Sequence, residues 1–570
     1  MQQVAVIADP HFHDINNRQG VGRGDRVSVR TLADTAESTR VFNESYHALP
    51  ALLDDIVRRG IRHVAVAGDL TDDGQATTMA AAVRILEDYA QRFGVRFYAT
   101  PGNHDLYAIH GRHHAKRFLN PDGGHTLVTS DAGAQAASSV ERIVSTDMYC
   151  GGYETALPAM RSFGFFRDDR DLYWESPFGQ DDALSARTFE IKSRDGGTIR
   201  RMIDASYLIE PVEGLWILSI DATGFTPRDG NPAPTAEKSY IDSTDAGWNS
   251  MLRNKPFILR WMTDVAERAR RQGKKLIAFS HYPVLDTLGA TLEDEQLLFG
   301  ETSFLRRSPT QDVARAVAST GIKVHFSGHL HVNDTALWRD GERFLVNVSV
   351  PSMVGFPTGY KIATLLPSGI SVETASVEVP GFDAAFALYR REAAVSGMDF
   401  GNILAARSHT EFLSRHLAQM VTHRYLPQEW PQDLARLVPL LSTGDLSSLA
   451  GLEPIRAADA ANIPEITATG STVSFLDMAA DWYRLRKGHE LALPFIDPGR
   501  LELYDELNRR FSGRDWPDWS LQARIARFCR MMAAYRTSRP SKDFDIDLAI
   551  GEVVAADYFG RTVRRQTGTA

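Results

Sequence analysis

Carboxylate, amide and imidazole side chains follow five apolar segments of this 570-residue chain, each rich in residues that favour strands. In chain order these side chains are Asp9, His11, Asp69, Asn103, His281, His329 and His331. Ligands of open α/β sheets bind beyond the carboxyl ends of the strands. We therefore expect the seven side chains to meet at one point, although His331 lies far from Asp9 in the sequence.

The seven side chains offer oxygen and nitrogen donors and no thiolate. Such a set suits two ions such as Mn²⁺, Fe or Zn²⁺ better than a closed structural zinc site. A carboxylate can bridge two ions, and ions about 3.5–4 Å apart stabilise the attacking and leaving oxygens of an in-line displacement. Taken singly, Asp9, Asp69 and Asn103 are as typical of turns and helix caps as they are of metal ligands. The ordered set favours a dinuclear metal site.

The elements that must position these residues alternate strands and helices over the first 380 residues. Predicted strands Gln3–Ala8, Arg62–Ala67 and Val95–Thr100 are separated by helical patterns, which predicts a parallel sheet with helices packed on it. The predicted strands Leu215–Ile220, Lys275–Phe279 and Lys323–Phe326 continue the pattern. Segments of about 106–214 and 221–255 are expected to be insertions, and the first contains a predicted hairpin of Thr188–Lys192 with Arg200–Ile203.

After Pro380 the pattern becomes helical, with apolar residues at helical spacing in Thr472–Lys487 and Ser520–Arg536. We expect a catalytic domain over 1–380 and a helical domain over 381–570. The helical domain could cover the site and limit the size of the substrate, or it could join two copies of the chain. The sequence leaves both alternatives open.

Composition excludes several classes of protein. The 63 basic and 72 acidic residues give a net charge of −9, which disfavours sequence-blind nucleic-acid binding, and 43% hydrophobic residues argue against disorder. The only cysteines, Cys150 and Cys529, exclude a disulfide framework and a thiolate metal cluster. The first residues do not resemble a signal peptide, and no apolar run is long enough to span a membrane. We expect a soluble, cytoplasmic protein with no membrane partner.

The motif blocks, in order, resemble those of the calcineurin-like metallophosphoesterase superfamily. The blocks are Asp9-x-His11, Gly68-Asp69, Gly102-Asn103-His104-Asp105, His281 and Gly328-His329-x-His331. The resemblance implies a four-layer α/β/β/α sandwich. It also implies that a metal-bridging hydroxide attacks the phosphorus of a phosphoester. It assigns Asp9, His11 and His331 to one metal ion, Asn103, His281 and His329 to a second, and Asp69 to a bridge between them. His104 would assist the leaving oxygen, and Asp105 would pair with its ring.

The block Gly68-Asp69-Leu70-Thr71-Asp72-Asp73-Gly74 is most similar to that of bacterial class III cyclic nucleotide phosphodiesterases. Asp72 replaces the iron-binding tyrosine of purple acid phosphatases, and Asp73 replaces an arginine of protein phosphatases. Because a carboxylate does not attract a dianion, we expect a phosphodiesterase acting on a small or nucleotide-like diester. The alternatives are a phosphomonoesterase and a non-catalytic scaffold. The net negative charge of the chain disfavours a nuclease.

Three other sets of residues have less specific interpretations. Asp72 and Asp73 are typical of turn or cap residues. Histidines 13, 110, 113, 114 and 125 are typical of solvated loops, and His325 is typical of a buried core position.

Overall fold

The computed structural model describes residues 2–17, 28–106, 108–241, 247–289, 291–462 and 473–556. The strands, in chain order, are β1 (Gln2–Ile7), β2 (His63–Val66), β3 (Arg96–Ala99), β4 (Ala115–Leu119), β5 (His125–Thr129), β6 (Glu141–Val144), β7 (Tyr173–Glu175), β8 (Thr188–Lys192), β9 (Ile199–Ile203), β10 (Tyr207–Val212), β11 (Leu215–Ile220), β12 (Thr226–Pro227), β13 (Tyr240–Ile241), β14 (Lys275–Ser280), β15 (Val324–Ser327), β16 (Asp334–Asp340), β17 (Arg343–Ser349), β18 (Tyr360–Leu365), β19 (Gly369–Ala375), β20 (Phe544–Asp547) and β21 (Val553–Ala555).

The α-helices, in chain order, are α1 (Leu32–Ala36), α2 (Ser45–Arg58), α3 (Ala76–Phe93), α4 (Tyr153–Ala159), α5 (Gly247–Asn254), α6 (Pro256–Arg271), α7 (Leu292–Phe299), α8 (Ser303–Arg307), α9 (Gln311–Ser319), α10 (Phe386–Ser396), α11 (His409–Met420), α12 (Leu426–Gln428), α13 (Gln432–Ala435), α14 (Thr443–Leu449), α15 (Phe475–Gly488), α16 (Pro498–Ser512) and α17 (Leu521–Arg536). Among the described residues, none of these helices combines the length and apolar character that crossing a membrane requires.

Two seven-stranded sheets form the centre of the molecule. The first has the order β21-β20-β19-β18-β1-β2-β3, and the second has the order β16-β17-β15-β14-β11-β10-β7. In β11, Leu215 and Ile217 belong to the core shared with the first sheet, whereas Trp216 and Leu218 face the other way. This alternation lets each sheet bury both faces, because successive side chains of a strand point to opposite sides.

Helices cover the outer face of each sheet. Apolar residues of α2 and α3 pack on the first sheet, and those of α6 and α9 pack on the second. The layers are therefore helix, sheet, sheet and helix, which confirms the four-layer α/β/β/α sandwich. The parallel pairs β1–β2–β3 and β11–β14–β15 place the carboxyl ends of their strands together within each sheet.

The segment 106–214 is only partly an insertion. The predicted hairpin is present as the antiparallel pair β8–β9. However, β7 and β10 pair with each other and extend the second sheet through β11. All residues of β10 except Val212 are buried, so this strand contributes to the central core. Of the second expected insertion, residues 242–246 lie outside the described part of the chain.

The region after residue 380 is mainly helical. Its apolar core, built from α11, α15 and α17 among others, also includes Val29, Leu32, Val354 and Phe356 from before residue 380. Thr472, the expected start of α15, lies outside the described residues. The chain then returns to the first sheet, where β20 pairs with β19 and β21 pairs with β20. This region is thus helical with two strands added to the catalytic sheet, and the boundary at residue 380 stays a prediction.

Candidate metal centre

The predicted ligands meet where strands of both sheets end. Asp9 and His11 follow β1, Asp69 follows β2, and Asn103 follows β3 of the first sheet. His281 follows β14, and His329 and His331 follow β15 of the second sheet. The cluster therefore lies across the mouth of the sandwich, with both sheets supplying side chains. All seven residues are buried.

Asp9, His11 and His331 form the first group. The Nε2 atoms of the two histidines lie 3.1 Å apart, and Asp9 Oδ1 lies 3.5 Å from Nε2 of His331 and 4.0 Å from Nε2 of His11. Their ligand atoms are close enough together to hold one metal ion. This is the trio that the motif resemblance assigns to the first ion.

Asn103, His281 and His329 form the second group. Nε2 of His281 lies 3.0 Å from Oδ1 of Asn103 and 3.2 Å from Nδ1 of His329. Asp69 lies between the two groups, with Oδ2 3.5 Å from Nε2 of His11 and 3.3 Å from Nε2 of His281. A carboxylate in this position can reach an ion in either group, which is what a bridging ligand requires.

The backbone is bent sharply at these positions. Within the described chain, seven non-glycine residues have left-handed backbone conformations, and five of them are predicted ligands: Asp9 (φ +50°), His11 (+42°), Asp69 (+51°), His329 (+73°) and His331 (+50°). Such conformations cost free energy in residues with a Cβ and persist only where the surrounding structure enforces them. Their concentration here sets this cluster apart from the other loops.

Two glycines allow the approach of the ligands. A Cβ on Gly102 would overlap Oδ1 of Asp69, and one on Gly328 would overlap Oδ2 of Asp9. Neither glycine has a positive φ. Their role is therefore to give room to a carboxylate and not to supply a left-handed turn.

Burial and charge set the protonation of the cluster. Burial lowers the pKa of His11, His329 and His331, which favours the neutral imidazole that binds metals. Burial also acts to lower the pKa of His281, but the Asp69 carboxylate outweighs it and raises this pKa to about 9. The same interaction helps to hold the pKa of Asp69 well below its usual range, against the effect of burial.

The cluster fits metal ions by its chemistry. The described residues leave His11 Nδ1, His329 Nε2 and His331 Nδ1 without a hydrogen-bond partner, although these atoms are buried. Nδ1 of His281 lies 2.9 Å from the Ala67 carbonyl oxygen, a contact that orients Nε2 toward Asp69. Oxygen and imidazole donors of this kind suit Mn²⁺, Fe or Zn²⁺. Each group also offers three side chains, which leaves positions open for substrate.

His104 differs from expectation in its partner. Its Nδ1 lies 3.0 Å from Oδ1 of Asp73, and its backbone N–H donates to Asp69 Oδ1 at 2.7 Å. The Asp105 carboxylate instead accepts hydrogen bonds from the backbone N–H groups of Leu70, Thr71 and Gly102. Burial and the nearby Asp69 raise the pKa of Asp105 to about 6. Asp105 therefore stabilises the loops that carry the ligands. The carboxylate that pairs with the His104 ring is Asp73, and not Asp105 as expected.

Asp72 and Asp73 are not simple turn residues. Lys116 Nζ lies 2.6 Å from Asp72 Oδ2 and 2.7 Å from Asp73 Oδ2, and Asp72 also pairs with Arg30 and Arg40. The Asp73 carboxylate is thus paired with a buried cation, and its charge alone does not argue against a dianionic substrate. Sequence reasoning missed all three cations, because they lie outside the motif blocks. The only sign of these cations in the sequence was the adjacent pair Asp72–Asp73, because carboxylates that become buried need charged partners.

Arg40 is also close to the proposed reaction centre. Its Nη2 lies 3.3 Å from Nδ1 of His104, and its charge lowers the pKa of His11 after burial, which is the larger effect. Of the histidines expected in solvated loops, His110 is exposed and His114 contacts Asp73 at 3.1 Å. The expectation was wrong for His13, which is buried with Nε2 2.7 Å from the Ser28 carbonyl oxygen. His325 is fully buried and contacts Ser280 and Asn347, which confirms its core position.

The helical region reaches the metal centre. Lys487, at the end of α15, donates from Nζ to the Leu330 carbonyl oxygen at 2.7 Å, between His329 and His331. Lys487 and Arg424 also line a cavity of about 30 Å³ that both histidines border. At least part of the helical region therefore covers the site.

A match to one protein-family model covers the first part of the ligand set. Residues 3–182 match the family model described as calcineurin-like phosphoesterase. The match ends before His281, so the second half of the ligand set rests on the structure. The match to this family model and the cluster of ligand atoms together support metal-dependent phosphoester hydrolysis.

Two solved structures are similar over most of their length. A dimetal phosphatase from Danio rerio has 12% identity over 65% of this chain and 95% of its own, with a TM-score of 0.34. A phosphopantetheinyl hydrolase from Mycobacterium tuberculosis has 13% identity over 62% of this chain and 90% of its own, with a TM-score of 0.23. No curated protein matches the chain.

Proposed function

We propose that this chain hydrolyses a small or nucleotide-like phosphodiester with the help of two metal ions, Mn, Fe or Zn. The observation that carries the proposal is the position of Asp69 between the groups Asp9–His11–His331 and Asn103–His281–His329. Ions held there would supply Lewis acidity, which activates water and stabilises charge on the phosphoryl oxygens. The resemblance of the Asp69 block to class III cyclic nucleotide phosphodiesterases supports the choice of a diester.

Residues of the chain itself have separate tasks in this proposal. The contact between His104 Nδ1 and Asp73 fixes the orientation of the His104 ring. We assign to His104 Nε2 the transfer of a proton to the leaving oxygen. The hydrogen bond from the His104 backbone N–H to Asp69 fixes the position of the bridging carboxylate relative to the proton donor. Asp105 is a positioning residue, because its hydrogen bonds hold the loops after β2 and β3 together.

A phosphomonoesterase is the second candidate, and Arg40 is the observation that favours it. Its guanidinium lies beside His104 and could contact the additional charge of a monoester dianion. A non-catalytic scaffold remains the alternative from another class. The two buried, unpaired cysteines support a cytoplasmic location, and association through the helical region stays a prediction.

The test is hydrolysis of bis(p-nitrophenyl) phosphate and p-nitrophenyl phosphate by metal-stripped protein before and after addition of Mn²⁺. We expect metal-dependent turnover that favours the diester and is lost in Asp69→Asn. His110→Ala, which changes an exposed histidine, serves as the control. Preference for the monoester would favour the phosphatase, and no turnover by protein with two bound ions would favour the scaffold.

A further inference from the structure

The small cavity of about 30 Å³ beside the metal centre is rich in positive charge. Arg307, Arg424 and Lys487 line it together with the predicted ligands His329 and His331. Arg307 ends α8 of the catalytic part of the chain, whereas Arg424 and Lys487 belong to the helical region. Separate elements therefore bring cations to one place, beside a cluster that itself fits metal ions.

Two of these cations have no carboxylate partner among the described residues. Arg424 donates from Nη1 to the Glu37 carbonyl oxygen. Lys487 donates from Nζ to the Leu330 carbonyl oxygen, so both contacts are with uncharged groups. Burial and the charge of Arg486 lower the pKa of Lys487 to about 7. Like charges near each other disfavour the charged forms, and an anion in the cavity would offset this effect.

The nearby acidic residues do not remove this charge. Glu295 accepts from Nε of Arg486 at 3.0 Å and from Nη2 at 2.6 Å, so it neutralises that arginine and not Lys487. Glu429 lines the cavity and accepts from the Ser303 hydroxyl at 3.5 Å. Glu429 is the one carboxylate among the described residues that line the cavity.

His329 adds a hydrogen-bond donor to the lining. Its Nδ1 lies 3.2 Å from Nε2 of His281, on the side of the second ligand group. The described residues offer no partner to its Nε2, although this atom is buried. An imidazole that binds a metal through one nitrogen carries its proton on the other nitrogen. Because buried N–H groups in native proteins are nearly always paired, Nε2 of His329 calls for an acceptor.

The cavity also adjoins the reaction centre. Thr39 lines it, and the next residue, Arg40, places Nη2 3.3 Å from Nδ1 of His104. His331 lines it as well, and its Nε2 lies 3.1 Å from Nε2 of His11. A substrate held at the metal centre can therefore extend one of its ester groups toward the cavity.

We propose that this cavity binds a second anionic group of the substrate, a phosphate or carboxylate carried on one arm of the phosphodiester. Lys487 and Arg424 supply positive charge, and Nε2 of His329 supplies an N–H donor. The cavity exceeds the about 10–15 Å³ that one water needs, so it has room for the oxygens of one such group. The inference rests on the proposed function, because the reacting phosphoryl group must occupy the metal centre.

The experiment compares matched ligands on the metal-loaded full chain by calorimetry at pH 7. Each ligand carries a phosphonate for the metal centre and, after two to four methylene groups, a carboxylate, a second phosphonate or a neutral carboxamide. We expect at least one spacer length at which a charged ligand binds at least tenfold more tightly than its carboxamide. The charged group that gains more identifies the natural one as a carboxylate or a phosphate.

Variants locate the effect in the cavity. The advantage of the charged ligands should fall at least fivefold in Arg424→Gln and in Lys487→Gln. It should be unchanged in Arg436→Gln, which changes an exposed arginine of the same region. Arg424→Gln keeps the contact between Lys487 and Leu330, so it tests charge without altering the loop of the ligands. Unfolding midpoints and elemental analysis show that each variant keeps its fold and its metal ions.

Two results would overturn the proposal. One is equal binding, or no binding, of charged and neutral ligands at every spacer length. The other is a charge advantage that both folded variants retain. Neither depends on turnover. Absence of bis(p-nitrophenyl) phosphate hydrolysis with the charge advantage intact would contradict the proposed reaction and support the anion subsite.

Discussion

Nδ1 of His104 lies 3.0 Å from Oδ1 of Asp73, while the neighbouring Asp105 accepts hydrogen bonds from three backbone N–H groups and from the Thr71 hydroxyl. The carboxylate that orients the proposed proton donor thus comes from the loop after β2 and not from the next residue in the chain. Asp73 also contacts Lys116, so it joins the donor to a buried ionic network. This relationship makes His104 and Asp73 a testable unit.

We expect His104→Ala to lower kcat by about 10²–10⁴-fold, the usual contribution of a general acid or base. Asp73→Asn should lower kcat by about tenfold or more, because the ring loses its orienting partner. If Asp73 acts through His104, the double variant should be no slower than His104→Ala alone. Steady-state kinetics on metal-loaded protein measure this coupling. Additive losses would mean that Asp73 acts by another route, and unfolding midpoints would show whether folding is affected.

Metal content should follow the two ligand groups. We expect about two ions per chain in the native protein. His331→Ala and His329→Ala should each retain about one, since each removes a ligand of a different group. Asp69→Asn should weaken both sites. Elemental analysis after dialysis against limiting Mn²⁺ gives the stoichiometry, with His110→Ala as the exposed control. Two ions retained by both single variants would contradict the assignment of the groups.

Arg40 should discriminate between substrates. Because its guanidinium lies beside His104, we expect Arg40→Gln to reduce kcat/KM for p-nitrophenyl phosphate by about tenfold or more, since hydrogen bonds to charged groups are worth about 1.5–3 kcal/mol. The loss for the singly charged bis(p-nitrophenyl) phosphate should be smaller. Arg30→Gln is the matched control, because Arg30 pairs with the same Asp72. Equal losses in both variants would point to the network and not to substrate contact.

Glu44 should make stability depend on pH. Burial raises its pKa from 4.5 to about 7 in the folded protein. The folded state therefore binds more protons than the unfolded state between these values, and stability falls as the pH rises through them. The loss between pH 5 and pH 8 should be about 2–3 kcal/mol, at about 1.4 kcal/mol per pKa unit.

Glu44→Gln mimics the protonated side chain and should remove that loss. The variant should therefore have a higher unfolding midpoint than the native protein at pH 8, and nearly the same midpoint at pH 5. Glu37→Gln, at an exposed position nearby, controls for the substitution itself. Parallel pH profiles for the native protein and Glu44→Gln would show that the Glu44 carboxyl group does not titrate in this range.

Much of the fold could be predicted from local patterns. The strand Leu215–Ile220 was predicted with its observed bounds, because its flanking turn residues and apolar side chains signal a buried strand. The membership of β7 and β10 in the second sheet could not be predicted in the same way. These strands pair with residues distant in sequence, and their short segments lie among Gly-, Asp- and Ser-rich stretches.

The sequence by itself determined the kinds of atoms at the metal centre and their places at the ends of strands. Asp9, His11, Asp69 and the other ligands carry this information in their types and order, and parallel strands bring their ends together whatever the loops do. Only the tertiary structure decided that Asp73 and not Asp105 contacts His104. It alone placed Arg40, Lys116 and Lys487 around the site. Long side chains from separate elements meet through packing and charge pairing, and no local pattern in the chain encodes those contacts.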